Sequence, residues 1–316
     1  MKTIKLNSPQ AWIKAARPVT LTGALIPVML ATALAHHNGC MQTKVAIFCA
    51  LFACGMQIVA NLVNDIYDYL KGTDREDRLG PPRACAQGWV LPCTMNLAIF
   101  FSVLVCIIFG FGILACSIEH LLWGGFELIL LGIMCVIFSF LYTTKLSYLG
   151  LGDVLVLLFF GIVPVAGTYY TQAVFSSEAT QVSGILDLFP SEMWLLALIS
   201  GIAIDALLVV NNFRDREQDR ISGKKTPIAR FGAWVAYVQH FAITLVTTIL
   251  IFKIGEQLAI EQSWGASLAS NLYASLNIAI LIAMWRINKG RKLNALLGAT
   301  SLTMTLMAVL LSIAIW

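Results

Sequence analysis

Two segments of the chain carry acidic and amide side chains at helical spacing. The first segment, residues 61–83, has an i, i+3, i+4, i+7 set made of Asn61, Asn64, Asp65 and Asp68. The second segment, residues 211–232, has an i, i+3, i+7 set made of Asn212, Asp215 and Asp219. Asp205 lies on about the same stripe, seven residues before Asn212. Residues at these separations share one face of an α-helix, so each segment predicts a helix with oxygen ligands along one face.

The chemistry that these faces favour is the binding of a metal ion and an anion. Carboxylates that share one face repel one another, and a cation or protons must relieve that repulsion. Oxygen ligands from Asp and Asn suit Mg²⁺, which completes its shell with water and phosphate oxygens. Arg and Lys are interleaved with the acids in both segments, which a bare cation site does not need. A diphosphate needs both Mg²⁺ and cationic hydrogen-bond donors, so the two segments predict one shared site for it.

The alternative is that these charges are solvated loop residues. This alternative suits four of them best: Arg75, Glu76, Arg216 and Glu217. For Asn64 and the four aspartates on the shared faces, the common face and the paired arrangement of the two segments favour a functional site.

The elements that must position these residues are membrane-spanning helices. The chain has 316 residues, of which 59% are hydrophobic and 12% charged, with a mean hydropathy of +0.81. A soluble domain carries about 25% charged residues, so this composition excludes a soluble globular protein. It also excludes a disordered chain and an outer-membrane barrel, whose strands alternate apolar and polar residues. The predicted fold class is an all-α polytopic membrane protein, because a helix satisfies its own backbone hydrogen bonds in lipid.

A spanning helix needs roughly 20 mostly apolar residues. Nine stretches of the sequence qualify, namely 18–37, 44–70, 92–117, 120–143, 149–173, 189–213, 232–254, 265–287 and 293–316. We expect about nine helices in a bundle around a central cavity that opens near the cytoplasmic face. Residues 1–316 then form a single domain of two similar halves, each with one aspartate segment at the end of a span.

The basic residues predict the orientation of the bundle. If the N-terminus is cytoplasmic, 19 of the 21 Lys and Arg residues fall on the cytoplasmic side, and only Lys44 and Lys253 fall outside. Cytoplasmic loops of membrane proteins carry such an excess of positive charge. We therefore expect a protein of the cell (inner) membrane, with its C-terminus outside and its site near the cytoplasmic face.

Over both acidic segments the sequence resembles the UbiA superfamily of intramembrane aromatic prenyltransferases. The first aspartate motif of that superfamily is matched by Asn64-Asp65-x-x-Asp68, and the second by Asp215-x-x-x-Asp219. The branch that prenylates 1,4-dihydroxy-2-naphthoate in menaquinone synthesis is similar over longer signatures. These signatures match residues 64–83 and 211–232 without a gap, and shorter matches lie at residues 17–21 and 150–153. The resemblance covers the first to the seventh span.

The resemblance implies Mg²⁺-dependent transfer of a polyprenyl group from its diphosphate to an aromatic carbon. With dihydroxynaphthoate, loss of the carboxylate as CO₂ would restore aromaticity and give demethylmenaquinone. The implied catalytic residues are Asp65, Asp68, Asp215 and Asp219. The implied metal ligands are Asn64, Asp68, Asp74, Asp215 and Asp219. Asp74 is included because Gly72 stands where the superfamily has a further aspartate.

Further roles follow for the cationic and amide residues near the motifs. Residues expected to bind the diphosphate are Lys71, Arg78, Arg83, Tyr142, Lys145 and Lys224. Residues expected to bind the acceptor are Arg17, Asn61 and Asn212. The expected partners are a polyprenyl diphosphate, an aromatic acid acceptor and membrane lipid, with no nucleic acid. No general base is identified, and Glu127 and Asp205 have no assigned role.

Two other functions remain open at this point. One is a related prenyltransferase with another acceptor, such as 4-hydroxybenzoate, homogentisate or haem. The other is a cation-coupled secondary transporter built from two similar halves, whose acids would lie near the middle of the membrane. The acids of this chain lie at one predicted membrane face among basic residues, which argues against transport.

Overall fold

The computed structural model describes residues 4–72, 78–176, 184–258 and 264–316, apart from the side chains of Thr143 and Lys145. All regular elements in these ranges are helices, which confirms the all-α prediction. In chain order the α-helices are α1 (Pro9–Ala16), α2 (Pro18–His37), α3 (Thr43–Leu70), α4 (Pro92–Ser117), α5 (Phe126–Leu141), α6 (Gly152–Leu157), α7 (Val163–Ala173), α8 (Ser191–Ile221), α9 (Pro227–Phe231), α10 (Ala233–Gln257), α11 (Trp264–Ile287) and α12 (Leu293–Ile315). A π-helical segment, Leu158–Ile162, joins α6 to α7, and another, Tyr142–Leu146, follows α5.

Eight helical stretches of the described chain are long and apolar enough to cross a membrane. They are α2, α3, α4, α8, α10, α11, α12 and the stretch Gly152–Ala173 that includes α6 and α7. The fourth predicted span, 120–143, contains the shorter helix α5 of 16 residues. At 1.5 Å per residue, α5 is about 24 Å long, which is less than the roughly 30 Å hydrocarbon core. The structure therefore shows eight of the nine expected spans at full length, and the fourth, 120–143, stays a prediction.

Large apolar side chains cover the outside of the bundle. On α4, Phe100, Phe101 and Phe111 are all more than half exposed. Such contiguous apolar surface is rare on soluble monomers. It is the surface expected where helices face lipid, and the chain is an integral membrane protein.

The core holds α8 at its centre. The largest buried cluster joins α2, α7, α8 and α12, and a second cluster joins α1, α3 and α4. Glycines allow α8 to lie directly against the α6–α7 stretch: a Cβ on Gly201 would be 3.0 Å from the Leu157 Cα atom, and a Cβ on Gly161 would be 2.5 Å from the Ala197 carbonyl oxygen. Small residues bring membrane helices together in this way. This contact fixes how α6 is placed beside the middle of α8.

Local sequence determines where the chain enters and leaves the site. The Ser8 hydroxyl caps α1 by accepting a hydrogen bond from the Ala11 N–H group, with Pro9 at the first helical position. Arg17 ends α1 with a left-handed φ of 50°, and Pro18 then begins α2. Thr226 caps α9 in the same manner as Ser8. These turns place Arg17 and the segment before α9 at the same end of the bundle.

Both acidic segments form the ends of unusually long helices. Helix α3 has 28 residues and α8 has 31, which corresponds to about 42 and 46 Å. Both lengths exceed the roughly 30 Å hydrocarbon core, so a helix of either length can extend polar turns beyond the lipid. The acidic turns are the last turns of each helix, and they lie together at one end of the bundle.

Candidate active site

One cavity of about 220 Å³ brings the two acidic segments together. Helix α3 contributes Asn64 and Asp68, and α8 contributes Asn211, Asn212, Asp215 and Asp219. Other parts of the chain contribute Arg17, Arg78, Arg83, Tyr142, Asp153 and Lys224. Side chains that lie more than 130 residues apart in the sequence therefore line one polar space.

The first segment is closed by a buried ion pair. The Arg83 Nη2 atom lies 2.5 Å from the Asp68 Oδ2 atom, and both side chains are almost fully buried. Arg78 also lines the cavity and donates from Nε to the Pro81 carbonyl oxygen over 3.2 Å. Burial of Asp68 is tolerated because Arg83 compensates its charge.

Asp65 has a different environment from the one expected of a catalytic residue. It is 1% exposed and is absent from the described cavity wall. Its two carboxylate oxygens accept hydrogen bonds from the backbone N–H groups of Ala84 and Cys85, over 2.9 and 2.8 Å. These bonds hold the residue after Arg83 against α3. The geometry therefore supports a positioning role for Asp65, which keeps Arg83 beside Asp68, rather than direct contact with a substrate.

We expect Asp65→Asn to destabilise the protein. The amide replaces one acceptor oxygen with an NH₂ group that faces a backbone N–H group, and an unsatisfied buried donor costs about 1–3 kcal/mol. The measurement is the thermal unfolding midpoint in detergent, with Glu256→Gln at the exposed end of α10 as the matched acid-to-amide control. An unchanged midpoint together with lost activity would instead indicate that Asp65 acts on the substrate.

The second segment contains a bidentate ion pair between the neighbouring residues Arg214 and Asp215. Arg214 donates to both Asp215 oxygens, from Nε to Oδ1 over 2.7 Å and from Nη2 to Oδ2 over 2.5 Å. Its Nη1 atom donates to Asn294 on α12 over 2.8 Å. Asn294 in turn donates to the Leu79 carbonyl oxygen over 2.9 Å. This chain of contacts connects the two acidic segments through the last helix.

Lys224 lines the cavity beside Asp219, and Tyr148 lies next to it. The Lys224 Nζ atom lies 3.7 Å from Asp219 Oδ1 and 5.4 Å from the centre of the Tyr148 ring. The Lys225 N–H group donates to the Tyr148 carbonyl oxygen over 3.0 Å. Gly150 has a φ of +81°, and a Cβ there would lie 2.2 Å from the Lys225 carbonyl oxygen. Only glycine allows these two loops to pack so closely.

Several other expected site residues line the cavity, and some do not. Arg17, Asn212 and Tyr142 line it as expected. Lys71 is absent from the described wall, and its Nζ atom lies 3.6 Å from the Tyr148 ring centre. Asn61 is also absent and donates to the Ala16 carbonyl oxygen and the Thr20 hydroxyl over 2.9 and 2.8 Å. Asp74 and the Lys145 side chain lie outside the described residues.

Several cavity residues were not assigned a role from the sequence, among them Arg214, Asp153 and Asn211. Arg214 and Asn211 are part of the matched second signature, so their presence in that motif was an available signal. Asp153 begins α6 within a shorter match. Asn294 lies in the ninth predicted span, where the resemblance is uninformative, and nothing in the sequence indicates its contacts.

The donor set suits Mg²⁺ that arrives with a phosphate ligand. Among the described residues, no three His, Cys, Asp or Glu side chains lie close enough together to hold a metal ion by themselves. Mg²⁺ commonly keeps only one or two protein carboxylates and takes its other ligands from water and phosphate. Asn64, Asp68, Asp215 and Asp219 offer such hard oxygen ligands on facing walls. Each of their three carboxylates lies within 4 Å of a basic side chain in the free protein.

The fold and the cavity define a membrane-embedded helical bundle with carboxylates and cations around one polar space, which suits a charged head group. The chain belongs to the UbiA prenyltransferase family, whose profile matches residues 24–303. It is therefore a prenyltransferase, as the resemblance implied.

Individual relatives agree with this family. The 1,4-dihydroxy-2-naphthoate octaprenyltransferase of Escherichia coli (strain K12) is 31% identical over 264 residues, which cover 83% of this chain and 81% of the relative. The protein of the same description from Mycobacterium tuberculosis is 30% identical and covers 76% of each chain. The mouse UbiA prenyltransferase domain-containing protein 1 is 29% identical over an alignment that covers 77% of this chain and 68% of the mouse protein.

Solved structures share the fold. The apo structure of a UbiA homolog from Aeropyrum pernix K1 superposes with a TM-score of 0.69 at 15% identity, covering 92% of this chain and 96% of that one. A UbiA homolog from Archaeoglobus fulgidus bound to GPP and Mg²⁺ superposes with a TM-score of 0.59 at 15% identity, covering 96% and 99%. The helical arrangement is therefore that of UbiA proteins.

Proposed function

We propose that this prenyltransferase transfers a polyprenyl group from its diphosphate to 1,4-dihydroxy-2-naphthoate, with loss of the carboxylate, to give demethylmenaquinone. The proposal that the donor is a diphosphate rests on one observation. Both aspartate segments line the same cavity, together with Arg78, Arg83 and Lys224. The acceptor is supported by four relatives described as 1,4-dihydroxy-2-naphthoate octaprenyltransferases, which match 76% to 83% of this chain at 30% to 32% identity.

The donor diphosphate is held by Mg²⁺ and by cations from opposite walls. Asn64 and Asp68 of α3 and Asp215 and Asp219 of α8 would hold the Mg²⁺, with Asp74 as a further proposed ligand. The bound Mg²⁺ supplies charge neutralisation that makes the diphosphate a better leaving group. The Archaeoglobus fulgidus homolog with GPP and Mg²⁺ has the same fold, which supports this choice of metal.

The cationic residues of this chain stabilise the charge that develops on the departing diphosphate. Arg78, Arg83 and Lys224 line the cavity and donate hydrogen bonds whose strength grows with that charge. Tyr142, which lines the cavity directly after α5, donates as well, and Lys71 and Lys145 are further proposed ligands of the diphosphate. The charge pairs of the free enzyme then open, because Arg83 and Lys224 exchange their carboxylate partners for phosphate oxygens.

The acceptor binds beside Arg17 and Asn212. The Arg17 guanidinium provides a cation for the naphthoate carboxylate, and both residues line the cavity. Asn61 acts indirectly, since its hydrogen bond to the Ala16 carbonyl oxygen holds the turn at Arg17. The apolar prenyl tail extends among the helices or into lipid, which explains why the enzyme is embedded in the membrane.

The test is product analysis by mass spectrometry with the purified protein and Mg²⁺. An equimolar mixture of dihydroxynaphthoate, 4-hydroxybenzoate and homogentisate is offered with prenyl diphosphates of several lengths. We expect a decarboxylated prenyl naphthoquinol as the main product and diphosphate release that stops when EDTA removes Mg²⁺. Prenylation of another acceptor only would overturn the naphthoate assignment and leave the family membership intact.

The chain is further proposed to be one domain of two similar halves, with its N-terminus and active site on the cytoplasmic side of the cell membrane. A reporter fused after Lys289, between α11 and α12, is then cytoplasmic, and one fused after Trp316 is outside. We expect fluorescence from green fluorescent protein at Lys289 and alkaline phosphatase activity at Trp316. The reverse pattern would contradict the orientation that the basic residues predict.

A further inference from the structure

One aromatic ring lies between basic residues of the two acidic segments. The Nζ atom of Lys71, which follows α3 in the first segment, lies 3.6 Å from the centre of the Tyr148 ring. The Nζ atom of Lys224, in the second segment, lies 5.4 Å from the centre of the same ring. Ammonium groups within about 6 Å of a ring centre are attracted by the negative face of the ring. Both lysines are therefore in cation–π contact with Tyr148.

Lys71 is also in contact with a ring of its own helix. Tyr67 lies four residues before Lys71, in the last turn of α3, and the Lys71 Nζ atom lies 4.7 Å from the centre of the Tyr67 ring. Residues four apart share one face of a helix, so this contact follows from local sequence. The contact with Tyr148 depends on the tertiary structure. Together the two rings restrict an exposed side chain that would otherwise sample many rotamers.

Two hydrogen bonds hold Tyr148 between the segments. The Tyr67 hydroxyl group donates to the Thr144 carbonyl oxygen over 2.8 Å, which joins the π-helical segment before Tyr148 to α3. The Lys225 N–H group donates to the Tyr148 carbonyl oxygen over 3.0 Å, which brings the residue after Lys224 against the Tyr148 backbone. The chain around Tyr148 is thus attached to both segments, and its ring lies where the two lysines meet.

The two ammonium groups suit an anion that binds between them. Like charges that approach one ring repel each other, and a bound anion relieves that repulsion. Lys224 lines the cavity, whereas Lys71 is absent from its described wall. Contact with the same ring keeps the Lys71 ammonium group close to a residue of the cavity wall. A diphosphate in the cavity has enough oxygens to accept hydrogen bonds from both lysines.

We propose that Tyr148 is a positioning residue, whose ring holds the Lys71 and Lys224 ammonium groups ready to bind the diphosphate of the prenyl donor together. This inference rests on the proposed function, in which both lysines are ligands of the diphosphate. A lysine loses rotamer freedom when it binds a ligand, and a ring that already restricts the side chain lowers that cost. The ring is uncharged and needs no contact with the substrate. Tyr148 thus contributes to donor affinity through the two lysines.

The experiment measures the dissociation constant of geranyl diphosphate with Mg²⁺ by calorimetry, with the full-length purified protein in detergent. Tyr148→Leu removes the ring and should raise this constant about tenfold, because two cation–π contacts are lost. Tyr148→Phe keeps the ring and should bind within about twofold of wild type. The matched control is Tyr69→Leu, since Tyr69 is 41% exposed and absent from the described cavity wall. This control should also bind within about twofold of wild type.

A second comparison shows whether Tyr148 acts through the lysines. In a protein that carries Lys71→Met and Lys224→Met, the ring has neither ammonium group to hold. Adding Tyr148→Leu to that protein should therefore weaken binding by less than about twofold. A further tenfold loss in that background would overturn the proposal, since Tyr148 would then act on the ligand or the fold directly. A loss with Tyr148→Phe as large as with Tyr148→Leu, or wild-type affinity of Tyr148→Leu, would overturn it as well.

Turnover separates donor binding from chemistry. Tyr148→Leu should raise the KM for geranyl diphosphate about tenfold and lower kcat by no more than about twofold, because the lysines still reach the diphosphate once the donor is saturating. A large fall in kcat with an unchanged KM would contradict the positioning role. Failure of the wild-type protein to bind geranyl diphosphate with Mg²⁺ would instead contradict the proposed function.

Discussion

Replacing Asp68 with asparagine is expected to lower the rate of prenyl transfer about 1000-fold, a loss of about 4 kcal/mol of transition-state stabilisation. The amide cannot supply the anionic oxygen that the proposed Mg²⁺ site requires. It also leaves Arg83 without the partner that lies 2.5 Å away in the free enzyme. We expect the same loss for Asp215→Asn, because this residue supplies the corresponding oxygen from α8.

The measurement is diphosphate release and prenyl product formation at saturating substrates, with the Mg²⁺ concentration varied. Glu217→Gln is the matched control, since Glu217 lies on α8 between Asp215 and Asp219 but its side chain is 71% exposed. The control should keep at least half of the wild-type rate. If Asp68→Asn and Asp215→Asn both remained fully active, the cavity would not be the active site.

Arg214→Leu is expected to cost about 3–5 kcal/mol of stability, because it leaves Asp215 with an uncompensated buried charge. It also removes the contact to Asn294, and thus one link between the two acidic segments. Activity should fall at least 100-fold as Asp215 loses its orientation. Arg214→Lys should recover only part of both losses, since an ammonium group keeps the charge but not the two parallel hydrogen bonds.

This prediction is checked by thermal unfolding in detergent and by the same activity assay. Arg230→Leu is the matched control, because Arg230 is an exposed residue of α9 whose only described ring contact is with Phe231. A second comparison is the double variant with Asp215→Asn. If the buried charge causes the instability, this double variant should be more stable than Arg214→Leu alone. Equal instability would show that the contacts to Asn294 and Asn211 matter more.

The fold was predictable because hydropathy is a local property. Each apolar stretch is long enough to reveal its helix without reference to the others, and the acidic stripes of α3 and α8 follow from helical spacing alone. In the predicted span 120–143 the α-helix is shorter than predicted, because residues before Phe126 form turns. Hydropathy marks where an apolar stretch lies, but it does not fix the residue at which the helix begins.

The candidate site was only partly predictable. Motif membership indicated Asp65 as readily as Asp68, since both lie on the same face of α3. The structure separates them: Asp68 faces the cavity, whereas Asp65 turns toward the backbone of Ala84 and Cys85. Helical spacing predicts which face of the helix a side chain lies on. It does not predict the partners of that side chain, and Asp65 and Asp68 have different partners although they lie only three residues apart.

The sequence by itself determined the class of protein, the helices, the two aspartate segments and the family. Only the tertiary structure decided that Arg214 reaches Asn294 eighty residues away and that Asp153 of α6 lines the same cavity as Asp215 of α8. Such contacts depend on how α6, α8 and α12 pack, and that packing depends on close approaches at residues such as Gly161 and Gly201. Spacing along one helix is encoded locally, but the distance between two helices is set by all the side chains that lie between them.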